Sequence, residues 1–209
     1  MPNNWRKQDV YHVEKHPFEP LTFPGIKFLI IGTFPTYKDN LKYNFFYSGK
    51  ENLFWEIIED VFKHSFHFQS NQDAVNERRE FLMANGIGMT DMHQMCYRKN
   101  KLSTDENLFP IILTDIFSLL EQHLTIERLI LTSRTEVFGA LGLLHTYFLH
   151  QHDKLPSLTR RQDKILEGQF SFKNRTIKIY VPYSPSPRLI TDKRTSKQEL
   201  VEMYKICIK

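Results

Sequence analysis

Short, almost wholly apolar runs recur along this chain, separated by stretches in which apolar residues return every three or four positions. Ile26-Lys27-Phe28-Leu29-Ile30-Ile31-Gly32 and Arg128-Leu129-Ile130-Leu131-Thr132 are the clearest runs. Runs of this length, rich in β-branched residues, read as strands buried on both faces. After the first run, Phe54, Ile57, Ile58, Val61 and Phe62 fall at helical spacing. Strands alternating with helices specify an α/β fold, here a three-layer αβα sandwich around a central, mainly parallel sheet.

The 209 residues suffice for one domain, 1–209, with a core of its own. Pro17, Pro20, Pro24 and Gly25 mark residues 1–25 as an irregular arm. Asn52 can cap the helix that carries Phe54. His64 and His67 are placed on one helical face. Asp73 to Ala84 reads as a second helix, stopped at Asn85-Gly86, and Ile87 to Met95 as a strand region. Glu106 to His123 reads as a helix with Pro110 in its first turn. Thr132 or Ser133 can cap a helix running to about Leu149, and Lys154 to Gly168 reads as a loop. Gln169 to Phe172 and Arg175 to Val181 read as a hairpin turning at Lys173-Asn174. The loop Pro182 to Ile190 then precedes a last helix from about Ser196.

No apolar run reaches bilayer-spanning length, and Met1 to Val10 lacks the apolar region of a secretory leader. Cys96 and Cys207 are the only cysteines, too few for a disulfide framework or an iron–sulfur cluster. The expectation is a cytoplasmic monomer without cofactor. The formal charge of +4 is mild. Its distribution is uneven, with Arg160, Arg161 and Lys164 in one cluster and Arg188, Lys193, Arg194 and Lys197 in another. Such clusters fit either a phosphate backbone or two solvated loops.

In open α/β sheets ligands bind beyond the carboxyl ends of the strands, so two loops matter most. Gly32-Thr33-Phe34-Pro35-Thr36 leaves the first strand with a Gly and a Pro that let backbone approach a ligand. It has no dinucleotide or Lys-Ser/Thr phosphate signature. Tyr43 to Trp55 is aromatic for a loop. Phe46 and Tyr47 are open to stacking on a base or to a hydrophobic cluster, and Asn52 to a base edge, a water or a helix cap. Pro182-Tyr183-Ser184-Pro185-Ser186-Pro187-Arg188 is stiff and ends on a basic residue. The histidines show no metal-ligand spacing, so no metal is expected.

Read together, these segments resemble the uracil-DNA glycosylase superfamily. The ordered set is His16-Pro17-Phe18-Glu19-Pro20, Phe28 to Thr36, Tyr47 and Asn52-Leu53-Phe54-Trp55. It continues with Gly86-Ile87-Gly88-Met89-Thr90-Asp91-Met92, Cys96-Tyr97-Arg98 and Ser184-Pro185-Ser186-Pro187-Arg188. Within the superfamily the chain is most similar to the hypoxanthine (deoxyinosine) DNA glycosylase branch. Two positions depart from the wider pattern. Phe34 stands where many members carry Asp or Asn, as it does in that branch, and Ser184 stands where many carry His.

The resemblance implies hydrolysis of the N-glycosidic bond of a deaminated base, uracil or hypoxanthine, in DNA repair. The base would be flipped from the duplex. Gly32, Thr33, Phe34 and Pro35 would meet the base edge, and Phe46 or Tyr47 its face. Asn52 would hold water, and Ser184 would donate to the leaving base. Ser186, Pro187, Arg188 and Leu189 would contact DNA. Two other classes stay open: an inactive lesion-binding protein of the same fold, and a hydrolase or binding protein for a nucleoside or other small ligand.

Overall fold

The computed structural model describes residues 8–209. The first seven positions of the expected arm, and with them most of the segment read for a leader, lie outside the described residues. The elements run β1 (Tyr11–Lys15), β2 (Phe28–Gly32), α1 (Phe54–Phe62), α2 (Asn71–Ala84), β3 (Ile87–Asp91), β4 (His93–Lys99) and β5 (Leu108–Leu113). They continue with α3 (Ile116–Gln122), β6 (Arg128–Leu131), α4 (Ala140–His150), β7 (Thr159–Arg160), β8 (Leu166–Phe172), β9 (Arg175–Val181), α5 (Pro187–Thr191) and α6 (Lys197–Ile208).

The main sheet has the order β3-β2-β6-β9-β8-β7. Its first four strands are parallel, and β8 and β7 extend it antiparallel. Side chains alternate across it, as the period of two requires. Ile30 and its neighbour Ile130 pack against α1, α2 and α6 on one face. Leu29, Ile31, Leu129 and Leu131 pack against α3 and α4 on the other. The expected three-layer αβα sandwich is therefore the fold. The β8–β9 hairpin turns at Lys173 and Asn174, both at positive φ (45° and 63°), as a two-residue turn with the twist of the strands requires. Ser196 and Glu199 close a capping box on α6. Among the described residues no helix is long and apolar enough to cross a membrane.

Several boundaries differ from the sequence expectation. Part of the arm is a strand: β1 pairs with β4 from Tyr11–Lys99 to Lys15–Met95, because Pro17, Pro20 and Pro24 come only after it. β3 and β4 are two strands broken at Met92, and the second enters a small sheet of order β1-β4-β5. The expected Glu106–His123 helix is instead a single 3-10 turn, strand β5 and the short α3. Pro110 is tolerated because β5 lies at a sheet edge, and Asp115 caps α3 by accepting from the Ser118 N–H at 3.0 Å. Neither Thr132 nor Ser133 caps α4, which begins after Gly139. α1 ends at Phe62, where Lys63 turns left-handed, so His64 and His67 are not helical. The 154–168 loop contains β7 and the start of β8, and the 182–190 loop runs into α5.

Candidate active site

The chain leaves β2 toward its neighbour β3 and leaves β6 toward the opposite side, to β7, β8 and β9, so the connections diverge between β2 and β6. That divergence opens a crevice beyond Gly32, the usual ligand position in such sheets. Asp91 ends β3 in register with Gly32. Its carboxylate lies so close to the Gly32 Cα that an added Cβ would collide with it, and would also sit 2.9 Å from the Tyr47 hydroxyl. Glycine is required here by this close approach.

The crevice is lined by polar groups from distant parts of the chain. Asp91 is 6% exposed. Its Oδ2 accepts a hydrogen bond from His16 Nε2 at 2.9 Å. His16 Nδ1 lies 2.6 Å from the Phe18 carbonyl oxygen. Across the crevice the Tyr47 hydroxyl bonds the Thr132 hydroxyl at 3.0 Å, and its ring stacks on Phe54 with centroids 4.2 Å apart. Burial, then the charges of Asp91 and Asp105, push this phenol well above its ordinary range. Asp105, from the 3-10 turn before β5, accepts from Ser133 Oγ at 2.6 Å, and the Thr33 side chain stands beside it. Its pKa is raised, chiefly by burial, which outweighs the opposing effect of Ser133 and Thr33.

Phe34 packs edge-on to His16 (centroids 5.3 Å) and His93 (6.0 Å), with the Arg98 guanidinium 5.4 Å from its centroid. Arg98 is fully buried and fixes the loop. It donates from Nη2 to the Pro35 carbonyl and from Nη1 to that of Leu102, both at 2.7 Å, and from Nε to Glu14 at 2.9 Å. His93 is buried without a partner for either ring nitrogen among the described residues. Burial first, then His16 and Arg98, lowers its pKa to about 4.

The structure places the sequence-predicted residues unevenly. Gly32, Thr33, Phe34, Pro35 and Tyr47 meet at the crevice. Phe46 is only 2% exposed, against His16 and Phe18, and accepts from Trp55 Nε1 through its carbonyl. Asn52 Oδ1 accepts from the Phe54 N–H at 2.9 Å, one residue ahead of the N-cap Leu53. Its amide nitrogen is left to serve another partner. The Leu53 N–H donates to the Pro185 carbonyl at 3.0 Å, which joins the Asn52 loop to the Ser184 loop. Arg134 braces that second loop, with Nη2 on the Val181 carbonyl at 2.9 Å and its guanidinium 3.9 Å from the centre of the Tyr183 ring. Ser184, Ser186, Pro187 and Leu189 are half-buried, while Arg188 is exposed.

The basic clusters are partly neutralised. Arg161 pairs with Asp163 and Glu167, Lys164 with Glu199, and Lys197 with Glu56 and Asp60. Arg188 has only a long contact to Asp192, at 3.8 Å. Arg160, Lys193 and Arg194 form no ion pair among the described residues. No three His, Cys, Asp or Glu side chains among the described residues converge as a metal cage would need.

Sequence reasoning passed over Asp105 and Arg134, and took His16 and Asp91 only as parts of motifs. A signal existed for Asp91, a carboxylate at the exit of a buried strand beside a glycine-ended one. Nothing local marks Asp105, whose role depends on the fold bringing it to Thr33 and Ser133.

No family model matches the chain, and no curated protein matches it. A solved structure does: the solution NMR structure described as "a putative Uracil DNA glycosylase from Methanosarcina acetivorans". The two superpose with a TM-score of 0.58 at 17% identity, over 92% of this chain and 94% of that one. The two chains share a fold.

Proposed function

We propose that this protein hydrolyses the N-glycosidic bond of a deaminated base in DNA. The observation that carries the reading is the Asp91 carboxylate, fixed by His16 over a glycine at the end of the central strand. Deaminated bases such as uracil and hypoxanthine present a ring N–H flanked by carbonyl oxygen. A carboxylate is an acceptor-only group suited to that N–H. The shared fold with a structure named for uracil removal, and the ordered motifs from His16 to Arg188, support the same reading.

In this reading the lesion leaves the stack because its pairing is weak. Its edge meets Asp91 and the Gly32–Pro35 backbone. Phe34, half exposed, offers the accessible ring, and Phe46 forms the wall behind His16. Tyr47 bridges the crevice to Thr132 and must yield when a base enters. Asn52 Nδ2 holds the water oxygen, since Oδ1 serves the helix. Ser184 donates to the departing base. Ser186, Pro187, Arg188 and Leu189 press on the backbone beside it. A positioned reactant and preorganised donors each contribute several orders of magnitude. The test is release of free base from labelled duplexes carrying uracil, hypoxanthine or xanthine.

One observation favours a second reading, a hydrolase for free nucleosides. Five carboxylates already occupy Arg161, Lys164 and Lys197, which leaves a smaller surface for phosphates. Turnover of deoxyuridine or deoxyinosine without any release from DNA selects it.

A further inference from the structure

Glycosidic hydrolysis in the reading above leaves one chemical need unmet. Water that attacks C1′ must lose a proton, and the groups placed so far cannot take it. Phe34 has no acceptor. Asn52 Oδ1 is committed to the Phe54 N–H. Ser184 is a neutral hydroxyl. Asp91 is bound through Oδ2 to His16 and packed against Gly32 at the floor of the crevice.

We infer that Asp105 is the carboxylate that accepts the proton of the attacking water. This role rests on the glycosylase reading and names a residue that neither the motifs nor the shared fold point to. Asp105 stands on the rim of the crevice, where Thr33 leaves β2 and Ser133 leaves β6. The Ser133 hydroxyl donates to its carboxylate at 2.6 Å, and the Thr33 side chain stands beside it from the neighbouring strand. The residue is half-buried rather than sealed, and the attacking water would reach it from the crevice. Charged and titratable groups facing it are Asp91 at the end of β3, Tyr47 from the loop before α1, and its neighbour Glu106. None is cationic, and its pKa is raised toward the range in which a carboxylate works as a base.

The step balances without any further reactant. The C1′–N bond breaks and its electron pair leaves with the base. The water oxygen forms the new bond to C1′. Its proton passes to Asp105, and from there to solvent or to the departing base anion.

The experiment is the pH profile of single-turnover base release for the wild type, Asp105→Asn, Asp91→Asn and Ser133→Ala. The wild type is expected to lose rate on an acid limb as Asp105 is protonated. Asp105→Asn is expected to fall by about 10²–10⁴-fold and lose that limb, while its lesion-DNA affinity holds. Asp91→Asn is expected to change the preference among bases and keep the limb. Ser133→Ala removes a hydrogen bond to the charged form, so its limb moves to higher pH; this variant also decides the matter if Asp105→Asn fails to fold. Activity of Asp105→Asn within about tenfold of the wild type, with the acid limb intact, overturns the assignment alone. An unmoved limb in Ser133→Ala does the same. A folded wild type that releases no base from any lesion overturns the glycosylase reading and this role with it.

Discussion

His16 Nε2 and Asp91 Oδ2 meet at 2.9 Å across 75 positions of sequence. The contact ties the segment after β1 to the carboxyl end of β3, and both side chains are more than nine-tenths buried. His16→Ala leaves a buried carboxylate oxygen without its partner. The expected cost is about 1–3 kcal/mol of stability, read by denaturant unfolding. Asp91→Asn, which keeps a side-chain oxygen facing His16, is expected to cost less.

Gly32→Ala places a methyl group against the Asp91 carboxylate and the Tyr47 hydroxyl. Both lie at the site, so either shift damages it. The expected loss is about 1–3 kcal/mol from overpacking, with weakened lesion binding. Gly25→Ala is a control for backbone effects away from the site, since no atom lies within 4 Å of its added Cβ, although its φ of +90° adds strain.

His93 gives stability a dependence on acid. Its folded-state pKa is about 4, below the ordinary value of 6.5. Between those values the unfolded chain binds the proton and the folded one does not. Stability is therefore full above about pH 6.5 and falls as the pH drops toward 4, by an amount on the order of 3 kcal/mol. The side chains that face it are His16, Arg98 and Phe34. His93→Phe is expected to flatten this limb in urea unfolding measured at a series of pH values.

Under the proposed function, Arg188, Lys193 and Arg194, which form no close ion pair among the described residues, are the basic residues expected to meet phosphates. Arg188→Ala, Lys193→Ala and Arg194→Ala are each expected to lower the slope of log affinity against log salt by about 1, if each meets one phosphate. Arg161→Ala is expected to leave the slope unchanged, because Asp163 and Glu167 already hold its charge. Binding isotherms on a lesion duplex at several salt concentrations separate the two groups.

The parallel core was legible because Ile26 to Gly32 and Arg128 to Thr132 are local signals of burial on two faces. The β8–β9 hairpin was legible from Lys173-Asn174. Local signals failed where tertiary pairing decides the outcome. Phe109 to Ile112 became an edge strand because β4 was there to pair with it. Thr132 and Ser133 look like helix caps in sequence, but in the fold their hydroxyls turn to Tyr47 and Asp105. The Gly32 to Pro35 loop was found at the site from its place after a buried strand. Phe46 was readable as aromatic, but its burial behind His16 was not. Asp105 lies far in sequence from Thr33 and Ser133, so only the fold reveals that they come together.

The most direct measurement is base release from labelled duplexes carrying uracil, hypoxanthine or xanthine, by the wild type and by Asn52→Ala. The expected result is release of at least one of these bases by the wild type and its collapse in the variant. Release that survives in Asn52→Ala would contradict the role given to that residue. Failure of the folded wild type to release any of the three would contradict the central claim, and retained salt-sensitive binding would then identify a lesion-binding protein without catalysis.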